Sequence, residues 1–119
     1  MVKGKTVILQ QKISEFFQNI LEQNLGSSFN SVLNFYFRQK FGCNSYELFW
    51  KNPYVFYTTL KEIFGGGAEA IISLIAENLR KKYPMNLTSK EIIQLMKSRS
   101  KQSKIKLQNI LKKAVNLKL

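Results

Sequence analysis

Apolar residues recur at helical spacing along almost the whole chain, and this periodicity limits the fold more than any other feature of the sequence. The first stripe is Leu9, Ile13, Phe16, Phe17 and Ile20. It follows the i, i+4, i+7, i+8, i+11 pattern of a helix with one buried face. Strictly alternating runs are short, and β-branched pairs such as Ile71-Ile72 fall within the helical period. The periodicity therefore predicts an all-α fold.

Glycine and hydroxyl residues mark the first helix boundaries. A first helix over about residues 6–25 should end at Gly26, after which Ser27 or Ser28 can cap a second helix. Gly42 is expected to end that second helix. Its apolar stripe is Phe29, Leu33, Tyr36, Phe37 and Phe41.

Two capping signals follow. Asn44 with Glu47 three residues later resembles a capping box for a short helix over residues 45–50. Asn52-Pro53 supplies an N-cap and a proline at the first helical position, where the missing N–H does no harm. The third long helix that begins there should run to about residue 64. Its inward residues are predicted to be Phe56, Leu60, Ile63 and Phe64.

Three consecutive glycines, Gly65-Gly66-Gly67, separate this helix from a fourth. A Walker-type phosphate loop needs a Lys-Ser/Thr pair, whereas Ala68-Glu69 follows here and its carboxylate would repel phosphate. We therefore predict a tight turn between helices. The fourth helix should end near Lys82, before Pro84. Its inward residues are Ala68, Ile71, Ile72, Ile75 and Leu79.

The chain after Pro84 begins again with a capping box, from Thr88 to Glu91. A stretch without apolar residues, over 98–104, then separates two apolar groups. These are Ile92, Ile93, Leu95 and Met96, and then Leu107, Ile110, Leu111, Ala114 and Leu117. We predict a boundary near residues 83–87: a compact helical bundle of four main helices, aromatic-rich, over 1–83, then a basic helical C-terminal extension over 84–119.

Several short motifs lie in the central part of the chain. They are Leu25-Gly26, Tyr36-Phe37-Arg38-Gln39-Lys40-Phe41-Gly42, Asn52-Pro53 with Phe56, Leu60-Lys61-Glu62-Ile63-Phe64-Gly65-Gly66-Gly67-Ala68, then Ile71, Ile75, Leu79 and Lys81-Lys82. Over residues 21–83 this pattern resembles the NitrOD5 type of archaeal output domain, found alone or attached to archaeal regulators. The resemblance implies an all-α unit, an archaeal source and a regulatory context, and it assigns no catalytic residue.

The residue types that the chain lacks exclude several kinds of catalytic site. The chain has no His, no Asp and one cysteine, Cys43, so an internal disulfide is excluded, as are His-based acid–base catalysis and Ser-His-Asp or Cys-His arrangements. We expect no metal site and no cofactor, because a zinc site lacks its usual ligands. The seven Glu read as solvated helix faces, and an enzyme needs two of them to converge in a cleft. We therefore expect a non-enzymatic protein with no catalytic residue.

Positive charge is concentrated in the last third. The net charge is +12 overall, with +4 over residues 1–82 and +8 over residues 83–119. Such a patch attracts polyanions, of which nucleic acid is the commonest, although a lysine-rich face also serves solubility. The residues predicted to contact phosphates are Lys97, Arg99, Lys101, Lys104, Lys106, Lys112 and Lys113.

The extension allows three interpretations. It forms half of a helix-turn-helix if residues 98–103 are the turn and residues 104–115 a recognition helix, in which Gln108 and Asn109 suit adenine edges. That turn exceeds the usual three or four residues. The extension is otherwise one long amphipathic helix packed on the core or on a second chain. In the third interpretation it lies on an anionic membrane surface, which the absence of Trp and Phe disfavours.

Aromatic residues are crowded into one stretch, with twelve of the 15 between Phe29 and Phe64. Most follow helical spacing and are predicted to be core. The surplus around the short helix is expected to form an exposed interface for a homodimer. The residues of that interface are predicted to be Tyr46, Phe49, Trp50, Tyr54 and Tyr57.

These observations favour a nucleic-acid-binding or transcription-associated accessory protein, DNA being the favoured partner. The alternative is a regulatory module that binds an acidic protein, and a third possibility is a small-molecule sensor with a pocket at Tyr46, Trp50 and Tyr57. No apolar run approaches the ~20 residues of a spanning helix, and residues 1–5 lack a signal-peptide pattern. We therefore expect a cytoplasmic protein without membrane contact.

Overall fold

Every element that the structure describes is an α-helix. The computed structural model describes the backbone of residues 2–82 and 86–117, and the side chains of residues 11–82 and 86–113. The described residues contain no strand, so the all-α prediction is confirmed. The helices are α1 Val2–Leu25, α2 Ser27–Phe41, α3 Ser45–Lys51, α4 Pro53–Phe64, α5 Gly67–Lys82, α6 Ser89–Lys97 and α7 Lys101–Leu117.

The helices group into two compact units, Met1–Lys51 and Asn52–Leu119. The first holds α1, α2 and α3, and the second holds α4 to α7, where α6 packs on α4, α5 and α7. This division differs from the predicted boundary between 1–83 and 84–119, which stays a prediction. Pro84 lies outside the described residues.

The core of the first unit is built on the predicted apolar stripe of α1. Ile13, Phe16, Phe17 and Ile20 are all buried, as predicted, whereas the side chain of Leu9 lies outside the described residues. The ring of Phe17 lies 4.9 Å from that of Phe49, centroid to centroid, and so joins α1 to α3. In the predicted stripe of α2, Leu33 and Phe37 are buried and Phe29 and Phe41 are only partly buried. Tyr36 departs from the prediction, being 38% exposed.

A single glycine joins α1 to α2. Gly26 has φ of +90°, and α2 begins at Ser27 with Gly26 as its N-cap and no side-chain cap. The prediction that Ser27 or Ser28 caps this helix is therefore wrong. Glycine adopts a positive φ without steric penalty, so the chain reverses at this residue and both serines fall inside the helix.

A buried polar cluster connects α2 to α3. Asn34 is buried on α2, and its Oδ1 accepts hydrogen bonds from the Ser45 hydroxyl (2.7 Å) and the Ser45 N–H (3.0 Å). The predicted capping box from Asn44 to Glu47 does not form. The Oδ1 of Asn44 is buried without a hydrogen-bond partner, and its Nδ2 donates to the hydroxyl of Tyr46 instead. A side chain distant in sequence thus binds the first N–H of α3.

In the second unit the predicted boundaries of α4 and α5 are found, and Phe56 and Leu60 of α4 are buried as predicted, whereas Ile63 and Phe64 are only partly buried. The Oδ1 of Asn52 accepts from the N–H of Val55 at 3.3 Å, with Pro53 in the first turn, which confirms the predicted start of α4. Gly65 ends this helix with φ of +56°, and α5 begins two residues later, as expected for a tight turn. The five predicted inward residues of α5 are all buried: Ala68, Ile71, Ile72, Ile75 and Leu79.

The start of α6 is a complete capping box. The hydroxyl of Thr88 accepts from the N–H of Glu91 at 3.1 Å, and the carboxylate of Glu91 accepts from the N–H of Thr88 at 3.1 Å. These bonds lower the pKa of Glu91, the backbone N–H of Thr88 contributing most. Ile92 of α6 and Leu107 of α7 are buried, so the box fixes the start of a helix that packs against α7.

Candidate nucleic-acid interface

Three residues, Ser98, Arg99 and Ser100, link α6 to α7. The Ser98 hydroxyl accepts from the N–H of Ser100 at 3.1 Å, and the Ser100 hydroxyl accepts from the N–H of Ser103 at 3.0 Å. The predicted turn over residues 98–103 is therefore too long, because Ser100 starts the second helix three residues earlier. A link of three residues is typical of helix-turn-helix pairs. The alternative of one long helix is wrong.

One side of α7 packs inward and the other is exposed. Leu107 and Leu111 are buried, about one turn apart, in contact distance of α6. The residues opposite recur at spacings of three or four, so they share one side of the helix. We call this set the exposed face of α7: Gln102, Ile105, Lys106, Asn109 and Lys113.

The chemistry of this face is mixed. It carries amide and ammonium groups that can form hydrogen bonds with a partner. Ile105, which lies among them, is an apolar residue with 45% of its surface exposed. Gln108, predicted earlier to reach bases, is only partly exposed and lies off this face. The sequence pattern does not single out Gln102 or Ile105, because they lie within or directly after the predicted turn. The spacing of Gln102, Lys106, Asn109 and Lys113 was the available signal.

A basic pocket of about 220 Å³ lies at the start of α7. Arg99, Lys101 and Lys104 line it, together with Tyr54 of α4. The guanidinium carbon of Arg99 lies 5.6 Å from the centre of the Tyr54 ring. That distance is within the range of a cation–π contact, so the aromatic ring holds the guanidinium beside the link. The pocket brings three of the predicted phosphate ligands together.

Lys97 is placed differently. Its Nζ lies 2.8 Å from the Oε1 of Glu69 on α5 and 5.4 Å from the centre of the Tyr57 ring. The hydrogen bond from Lys97, followed by one from Tyr57, lowers the pKa of Glu69, and the same bond raises the pKa of Lys97. Lys97 therefore ties α6 to α5 and is less available to phosphate than the other predicted ligands.

The remaining predicted phosphate ligands lie along α7. Lys106 and Lys113 belong to the exposed face, and Lys112 is exposed beside it. Lys106 also contributes to the lowered pKa of Glu91. The structure thus separates the seven predicted ligands into three groups: the pocket at the link, the length of α7, and the ion pair at Lys97.

The predicted dimer interface is not an exposed patch. Phe49, Trp50 and Tyr57 are buried, at 1%, 7% and 7% exposure, so the chain itself covers most of their area. Tyr46 and Tyr54 are partly exposed. Apart from Ile105 of α7, the large exposed apolar side chains among the described residues lie instead on α2 and at the end of α1. These are Leu25, Val32, Phe35 and Tyr36.

Three of the seven glutamates have partners that the structure shows. Glu69 pairs with Lys97, Glu91 caps α6, and Glu22 accepts from Gln18 and Asn30 at 3.4 Å. Within the described ranges, no group of three His, Cys, Asp or Glu residues has the arrangement of a metal site. Burial, followed by the charge of Glu47, raises the pKa of Cys43 and so disfavours its reactive thiolate.

No helix in the described part of the chain has the length and apolar character needed to cross a bilayer.

No family model, curated protein or solved structure matches this chain.

Proposed function

We propose that the protein is a non-enzymatic, DNA-binding accessory protein and that α6, the link and α7 are its binding element. The geometry of this pair carries the proposal: a three-residue link between packed helices, the second of which has one exposed face. Helix-turn-helix proteins place that second helix in the major groove, while the preceding helix crosses the backbone. The resemblance of residues 21–83 to an archaeal output domain implies a regulatory context for the chain and does not extend to α6 and α7.

The distribution of charge also supports α6, the link and α7 as the binding element. Residues 52–119 carry a net charge of +9, against +3 for residues 1–51. The single carboxylate in residues 83–119, Glu91, is engaged in the capping box. Arg99, Lys101 and Lys104 flank the start of α7, where backbone N–H groups and the helix dipole favour anions. Phosphate contacts of this kind orient a helix without reading sequence.

Fluorescence anisotropy with a labelled DNA duplex of about two helical turns tests the proposal. We expect micromolar binding at low salt that weakens steeply as salt rises, because each phosphate contact releases counterions. The double variant Lys101→Gln/Lys104→Gln should bind at least several-fold more weakly. Arg38→Gln/Lys51→Gln is the matched control, since it removes two exposed positive charges from the first unit.

Two results would contradict the proposal. One is unchanged anisotropy at low salt and high protein concentration. The other is equal weakening by the Lys101/Lys104 pair and the Arg38/Lys51 pair, which would reduce the binding to overall charge. Specific retention of an acidic protein in the absence of DNA binding would favour the alternative module.

We also propose that the protein forms a homodimer, now through the exposed apolar residues of α2. Val32, Phe35 and Tyr36 recur at i, i+3, i+4 and so lie on one side of that helix, with exposures of 66%, 61% and 38%. Exposed apolar patches mark protein contacts. The low net charge of residues 1–51 limits repulsion between two copies, and a dimer would present two α7 helices to DNA.

A further inference from the structure

The exposed face of α7 has the composition of a surface that reads base edges. Gln102 and Asn109 carry amides, which pair bidentately with adenine in the major groove, and Ile105 offers an apolar surface that suits the methyl group of thymine. Lys106 and Lys113 lie between and beyond them and suit guanine or phosphate. A helix surface that serves only solubility needs neither a half-exposed isoleucine nor two amide side chains on the same side of the helix.

The dimensions of this face fit a short site. Gln102 and Asn109 are seven residues apart, which is roughly 10 Å along a helix. That distance corresponds to about three base pairs of B-DNA. Lys113 extends the face by one further turn. The basic pocket at Arg99, Lys101 and Lys104 lies at the N-terminal end of the same helix, where contacts to phosphate would fix its register in the groove.

From this arrangement we propose that α7 reads duplex DNA directly in the major groove, with Gln102 and Asn109 recognising adenines and Ile105 recognising a thymine methyl. The inference rests on the proposed function and adds sequence preference to it. The major groove of A-form RNA is too narrow for a helix, so the proposal commits to DNA. Gln108 has no part in the readout, although it is adjacent to Asn109.

Selection from a pool of randomised duplexes with the full-length protein tests this inference. We expect enrichment of a site with A·T pairs at two positions about three base pairs apart. Gln102→Ala and Asn109→Ala should each weaken binding to the enriched site by about 5- to 150-fold, with an unchanged salt slope. Asn19→Ala/Gln39→Ala, which removes two exposed amides from the first unit, is the matched control and should bind normally.

Replacing thymine by uracil in the enriched site tests Ile105 without any change of fold. Removal of one methyl should weaken binding of the unaltered protein by about four-fold. The variant Ile105→Ala keeps only the Cβ methyl group, which reaches less far into the groove, so it should distinguish the two sites less than the unaltered protein does. Circular dichroism confirms that each variant keeps its helices.

The outcomes distinguish this inference from the proposed function. Salt-dependent binding without an enriched site, or an enriched site that Gln102→Ala and Asn109→Ala bind as well as the unaltered protein, would overturn direct readout and leave DNA binding intact. Equal affinity for an RNA duplex of the enriched sequence would also overturn it. Failure to bind any duplex at low salt would overturn both.

Discussion

The amide oxygen of Asn34 accepts hydrogen bonds from both the hydroxyl and the backbone N–H of Ser45. Asn34 in turn donates to Asn30 at 3.5 Å, and Asn30 donates to Glu22 at 3.4 Å. The contacts run from α3 through α2 to α1. They give the buried polar groups hydrogen-bond partners inside an apolar unit, where a polar group without a partner destabilises the fold.

Asn34→Ala should therefore destabilise the protein by about 1–3 kcal/mol, because two donors of Ser45 lose their acceptor away from water. Urea denaturation followed by circular dichroism measures this change. Asn19→Ala, at an exposed position of α1, is the control and should lie within about 0.5 kcal/mol of the unaltered protein. Equal stability of the two variants would show that solvent replaces the Asn34 oxygen.

Phe35 and Phe37 give opposite expectations although they lie on the same helix. Phe37 is fully buried, so Phe37→Ala should cost about 3–5 kcal/mol of folding free energy, whereas Phe35 is 61% exposed and Phe35→Ala should cost little. Sedimentation equilibrium of the Phe35→Ala variant also tests the proposed dimer. We expect weaker self-association than in the unaltered protein. A strict monomer of the unaltered protein at tens of micromolar would overturn the dimer.

Gly65 and Gly66 are expected to respond differently to alanine. Gly65 has φ of +56°, a conformation that strains any L side chain, so Gly65→Ala should lower the melting temperature. Gly66 lacks a positive φ, and a Cβ there would meet nothing within 4 Å. Gly66→Ala should therefore be neutral or raise stability by about 0.4–1 kcal/mol through the unfolded state. Equal loss in both variants would contradict this account of the turn.

Lys97 should contribute less to DNA binding than its position in sequence indicates. Lys97→Gln breaks the ion pair with Glu69, and we expect a change in the salt slope well below the value of about 0.9 that accompanies loss of one phosphate contact. Lys112→Gln, at an exposed position, should lower the slope by about that value if Lys112 contacts phosphate. Titrations across a salt series measure both slopes. A larger effect at Lys97 would show that its ion pair opens on binding.

Acid pH should destabilise the N-terminal end of α6. The pKa of Glu91 is lowered in the folded chain, so its contribution to stability is present above the ordinary carboxyl pKa and is lost as the pH falls through the lowered value. Glutamine at this position keeps the capping box but does not titrate. The melting temperature of Glu91→Gln should accordingly depend less on acid pH than that of the unaltered protein. Glu77→Gln, exposed on α5, serves as the control.

The elements that sequence predicts well are those whose signals are local. The capping box from Thr88 to Glu91 and the buried stripe of α5 each involve residues three or four apart, so helix geometry alone brings them together. The cap of α3 is different. Asn34 is eleven residues from Ser45 and meets it only after the chain has turned, whereas Asn44 offered a nearer candidate.

The candidate site likewise has one feature that the sequence predicts and others that it does not. Its positive charge was evident from composition, but the exposed face of α7 was not, because Gln102 stands in a run without apolar residues that resembles a turn. Ser100 settles the helix start by accepting from Ser103. The burial of Phe49 and Trp50 likewise depends on packing, which aromatic crowding in the sequence does not specify.

The hydroxyls of Ser98 and Ser100 give the link hydrogen bonds of its own within the free chain. A partner that contacts α6 and α7 meets a link that is already structured, so less conformational entropy has to be lost there on association. The heat capacity change of binding should then report the apolar surface that the partner covers, without an added component from coupled folding.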